Sequence, residues 1–62
     1  MLEGAQVYWY GWNEAHPPAY GVVAEYEPEV VEFPFTLIID RNGQPYRVHV
    51  SRNEFDVLGV PS

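Results

Sequence analysis

The pair Asn42-Gly43, set between two alternating apolar runs, restricts this chain more than any other two residues. A two-residue type I′ turn needs positive φ at both central positions, and Asn-Gly tolerates that best. Counting outward from Arg41 and Gln44, Ile39 falls opposite Tyr46, Leu37 opposite Val48 and Phe35 opposite Val50. The two-residue period of a strand places all six on one face. Ile38 opposite Arg47 and Thr36 opposite His49 form the other. One face is wholly apolar and the other mixed, so a slip of one residue turns the apolar set into water, and the register is specified.

The remaining strands are read by the same alternation. Gln6–Trp12 predicts a first strand with Val7 and Trp9 on the core side and Tyr8 and Tyr10 outside. Gly11 resets the phase, so the side taken by Trp12 is left open. Asn13–Pro18 is a polar loop stiffened by Pro17 and Pro18. Ala19–Glu27 alternates again, with Val22, Ala24 and Tyr26 on one face and Val23, Glu25 and Glu27 on the other. That pattern predicts a half-buried strand with an acidic outer face, ended by Pro28. Residues 28–34 read as a loop that dips Val30, Val31 and Phe33 inward. Ser51-Arg52-Asn53-Glu54 is a capping box, predicting a single 3-10 or helical turn near residues 52–56. Phe55 and Leu58 are its expected buried anchors, with a brief closing strand around Val60.

Sixty-two residues make one domain, 1–62, at the lower limit for unaided folding. A domain of this size buries only about 60% of the surface its unfolded chain exposes. There is no cysteine, and the two histidines stand far apart, so neither a disulfide nor a zinc motif is available and no cofactor or metal is expected. Ten aromatic side chains must therefore supply the core or a self-association surface. The run Tyr8-Trp9-Tyr10-Gly11-Trp12 is the densest group, and alternation alone does not bury all of it.

Nine acidic residues against three arginines and no lysine give a net charge of −6. Phosphate backbones bind through cations, so direct nucleic-acid binding is disfavoured, as is an anionic membrane surface. A basic protein partner is favoured. The N-terminal residues lack a basic segment followed by an apolar one, and no apolar stretch is long enough to span a bilayer, so the cytoplasm is the expected compartment.

Strand, long loop, strand, loop, hairpin, single turn and short strand is an order that resembles the SH3-like small β-barrels, including the Tudor-like and related bacterial modules. The resemblance runs from Gln6 to Val60. It rests on Gly21-Val22-Val23 opening the second strand, the Asp40-Arg41-Asn42-Gly43 hairpin tip, and the Ser51–Leu58 turn before the last strand. It implies an all-β barrel of about five antiparallel strands and a binding face built from aromatics of the first loop and adjoining strands. By position those are Tyr8, Tyr10, Trp12 and Tyr20, with Glu14, Glu25 and Glu27 as acidic surroundings. The Ala-Leu-Tyr-Asp-Tyr run and the Pro-x-x-Tyr pattern of true SH3 domains are absent, which points away from polyproline ligands.

These features lead to an expectation of a non-catalytic protein-interaction module, such as a small accessory or inhibitor protein of the bacteriophage kind. Two alternatives stand beside it. The aromatic patch is the seam of a homo-oligomer, or Glu25, Glu27, Glu29 and Glu32 imitate a row of phosphates and block a nucleic-acid enzyme. Those glutamates also suit protection of an edge strand. Catalysis is not expected, because Glu14 and His16 have no nucleophile beside them and His49 belongs to a strand.

Overall fold

The computed structural model describes residues 2–61. Its strands are β1 (Gln6–Trp9), β2 (Ala19–Tyr26), β3 (Phe35–Arg41), β4 (Gln44–Val50) and β5 (Phe55–Gly59), with a 3-10 turn at Arg52–Glu54. All neighbouring pairs are antiparallel in one open sheet of order β4-β3-β2-β1-β5. The described residues contain no α-helix, and none is therefore long and apolar enough to cross a membrane.

The hairpin forms in the register counted from Asn42-Gly43, with Ile39 on Tyr46, Leu37 on Val48 and Phe35 on Val50. Asn42 and Gly43 both take positive φ, at 54° and 81°. Asp40 Oδ1 tightens the turn by accepting the Gly43 N–H at 2.9 Å. Phe35, Leu37, Ile39, Val48 and Val50 enter a single core with Ala5, Val7, Trp9, Val23 and Phe55. Tyr46, nearest the tip, remains exposed.

β2 departs from its sequence pattern. Val23 is buried while Val22 is exposed, so the first half of the strand presents the face opposite to the one alternation assigns. The cause is a register shift between Val23 and Glu25. Val23 pairs with Leu37, and three residues on Tyr26 pairs with Phe35, so the extra residue Ala24 brings both to the same face. Tyr26 stacks on Phe35 with ring centres 4.7 Å apart. β2 lies between β3 and β1, but β1 pairs with it only from Ala19 to Val22, so Glu25 has a strand partner in β3 alone.

Two other segments differ. The 28–34 loop turns outward: Val30, Val31 and Phe33 are exposed, Val31 at 90%. Its base is closed by the Glu27 N–H on the Pro34 carbonyl at 2.7 Å, which holds the intervening residues away from the core. The closing strand starts earlier than expected, at Phe55, leaving Val60 outside it. Alternation from buried Phe55 then turns Leu58 outward, to 56% exposure.

Candidate binding site

Three of the four candidate aromatics gather on the outer face of β1 and β2. Tyr8 and Tyr20 are direct cross-strand partners, with ring centres 5.0 Å apart. Tyr8 and Tyr10 meet edge to face at 6.2 Å. Tyr20 is 66% exposed and Tyr10 nearly half, so the rings lie on the sheet as an accessible plate. Val22 and Leu58 border it around a depression of about 370 Å³.

The acid beside this plate is Asp56, which is not one of the acids expected there from the sequence. Asp56 pairs with Tyr8 across β1 and β5. As a hydrogen-bond acceptor for the Tyr10 hydroxyl, its carboxylate raises the phenol above its ordinary value, with smaller contributions from desolvation and charge repulsion and with Arg52 opposing. The folded state therefore favours the protonated phenol. That contribution is complete below the unfolded value of about 10 and is lost as pH climbs through the higher folded value. Tyrosine absorbance titration should show Tyr10 ionising late, and Asp56→Asn should bring it down toward its ordinary value. Equal titration of Tyr10 in both proteins would refute the contact.

Trp12 belongs to a different group. Gly11 turns the chain with φ 80°, and the Trp12 N–H then bonds the His16 carbonyl at 2.9 Å. The Trp12 ring folds back, meeting Trp9 edge-on at 5.0 Å and lying 5.3 Å from the His16 ring. Its Nε1–H donates to Glu54 Oε1 at 2.7 Å. The other oxygen of Glu54 accepts the Ser51 N–H at 2.8 Å, the capping contact of the 3-10 turn. One carboxylate thus latches the first loop to the turn before β5. Trp12 is 48% exposed, but its position is that of a bracket. The indole N–H of Trp9 beneath it is buried without a hydrogen-bond partner among the described residues.

Between the first loop and the hairpin tip lies a cleft of about 320 Å³, with Glu14, Pro17, Pro18 and Tyr46 on its walls. Arg41 closes one side. Its guanidinium donates to the Ala15 carbonyl at 3.0 Å and lies 4.8 Å from the centre of the Tyr46 ring. Cation and ring satisfy each other there, so the contact works as a stitch between loop and hairpin.

Glu25 and Glu27 do not surround the tyrosines. Glu25 lies five residues along β2 from Tyr20, roughly 16 Å at about 3.3 Å per residue. Glu14 stands at the cleft rather than beside the plate. The acidic series is not a strand row either, because Glu27, Glu29 and Glu32 occupy the loop with Val30, Val31 and Phe33 among them.

The histidines are held locally. His16 bonds Asn13 through its backbone N–H, and His49 Nδ1 lies 3.1 Å from Thr36 Oγ1 across the ladder. Among the described residues no group of three or more His, Cys, Asp or Glu side chains is arranged to hold a metal.

No protein-family model, curated protein or solved structure matches the chain.

Proposed function

We propose that this chain is a non-catalytic protein-interaction module of SH3-like architecture, engaging a partner protein through Tyr8, Tyr10 and Tyr20. The observation that carries this reading is the tyrosine plate: three touching rings placed on an outer face, where they add little to the core. Tyrosine offers large contact area at small cost in side-chain freedom, which is why it is enriched at interfaces. Asp56 at the plate, together with the overall charge of −6, favours a partner with cationic groups facing it. An accessory or inhibitory role in the cytoplasm fits a small acidic binder of this kind.

The test uses a partner isolated on the immobilised chain and identified by mass spectrometry. Tyr10→Ala combined with Tyr20→Ala should weaken that complex by about 2 kcal/mol or more, roughly thirtyfold. The unfolding midpoint should change little, since exposed substitutions usually shift stability by less than about 1 kcal/mol. Trp12→Ala is the contrasting variant, because it removes a bracket and should lower stability first. Unchanged affinity in the tyrosine variant rejects the reading. Sizing across dilution supplies the other decisive outcome: a dimer that dissociates in the tyrosine variant makes the plate a self-association seam.

A further inference from the structure

Beyond the tyrosine plate, a second surface stands at the far end of β2. Tyr26, Val30, Val31 and Phe33 are all exposed and lie within eight consecutive residues. Scattered apolar residues on a surface need no explanation, but a contiguous group in so small a protein does. Val31 is 90% exposed and so contributes almost nothing to packing within the chain.

The loop is also ordered in advance. The Glu27 N–H bonds the Pro34 carbonyl at 2.7 Å, and the Val30 N–H bonds the Glu27 carbonyl at 3.0 Å. Pro28 and Pro34 bracket it, and Tyr26 is stacked on Phe35 beneath. A segment already held in shape loses less conformational freedom on binding.

Charge selects the occupant. Four exposed glutamates, Glu25, Glu27, Glu29 and Glu32, interleave the apolar residues along the chain as an acidic rim, and no Lys, Arg or His stands between His16 and Arg41 in the sequence. Nucleic acid and anionic lipid are repelled by such a rim. A second copy of the chain brings the same rim and few free cations. Arg41 is spent on Ala15 and Tyr46, and Arg52 on Phe55, which leaves Arg47 to set against four glutamates. A distinct protein with an apolar socket edged by lysine or arginine is complementary on both counts.

We propose that residues 26–33 form a second docking surface, which places Val31 and Phe33 in an apolar socket rimmed by basic side chains on another protein. It is independent of the tyrosine plate, so either surface can fail without the other.

The experiment selects peptides from a random phage-displayed library against the immobilised full chain and measures them one by one. The selected sequences should combine apolar residues with Lys or Arg, and amide shifts on titration should centre on residues 26–33. Affinity should fall about tenfold or more with Val31→Ser and Phe33→Ser, fall with added salt, and survive Tyr10→Ala with Tyr20→Ala. Glu27→Gln, Glu29→Gln and Glu32→Gln together should weaken binding while leaving the apolar group intact. Val31→Ser alone keeps the test valid if Phe33→Ser disturbs folding, because Val31 is almost fully exposed. Peptides lacking cations, equal binding to Val31→Ser, or shifts confined to the tyrosine plate would overturn the proposal. So would a concentration-dependent dimer that Val31→Ser abolishes, which would assign the surface to a second copy.

Discussion

Gly21→Ala is expected to abolish cooperative folding, although it adds a single methyl group. Gly21 sits in β2 opposite Ile39. A Cβ at this position collides with the Ile38 carbonyl and lies 2.8 Å from the Ile39 Cα. Both obstacles are backbone, and β3 is held on its other side by β4, so neither strand can step aside without breaking a ladder. Overpacking that only displaces side chains already costs about 1–3 kcal/mol. Here the displacement falls on the sheet itself, in a domain whose whole stability is expected near or below about 5 kcal/mol. Thermal unfolding followed by circular dichroism should lose its sigmoidal transition. Gly59→Ala is the control, since nothing among the described residues lies within 4 Å of its added Cβ, and it should stay within about 0.5 kcal/mol of the parent. A Gly21→Ala protein that melts like the control would show that β2 and β3 do not approach this closely.

The second large effect belongs to Glu54. Glu54→Ala removes the acceptor of the Trp12 indole at 2.7 Å and of the Ser51 amide at 2.8 Å. Hydrogen bonds to charged groups contribute roughly 1.5–3 kcal/mol each when buried. This pair is partly solvated, so a combined loss of about 2 kcal/mol is expected, or roughly 8–16 °C in Tm for a domain of this size. The two tryptophans make the event visible. Trp9 is fully buried and Trp12 half-exposed, so emission should shift to longer wavelength as Trp12 leaves Glu54. Glu54→Gln keeps one acceptor but turns an amide N–H toward the other donor, so it should recover only part of the loss. Unchanged emission and Tm in Glu54→Ala would mean that the latch does not hold the loop. The tyrosine plate should keep its binding in either variant, because Tyr8 and Tyr20 rest on strand pairing, and Tyr10 is held by its N–H on the Glu54 carbonyl, which a side-chain substitution leaves in place.

Where a local rule had no competitor, the sequence was enough. Asn42-Gly43 admits one turn type, and the apolar face it implies could be counted outward to Phe35 and Val50 without error. The same alternation correctly divided Val7 and Trp9 from Tyr8 and Tyr10. Ser51 and Glu54 announced the 3-10 turn, because a capping box is written within four residues. The all-β class followed from these pieces.

What the sequence left undetermined depended on contacts between distant segments. The bulge at Ala24 inverts the start of β2, and no residue there marks it, because the phase is set by what β3 offers as partners. Val31 and Phe33 looked like core because they are apolar. They are outside because the Glu27–Pro34 closure projects their loop away from the sheet. Asp56 reaches the tyrosines only because β5 pairs with β1. The Trp12 side was undecidable locally, since its partner Glu54 is 42 residues away. Alone, the chain determined its turns, its main hairpin and which rings of β1 are buried, for those follow from φ preferences and a two-residue period. Tertiary structure decided how the aromatic run is divided: a core ring at Trp9, a plate of tyrosines, and a bracket at Trp12. That division rests on cross-strand pairing and one long-range hydrogen bond, neither of which short-range pattern encodes.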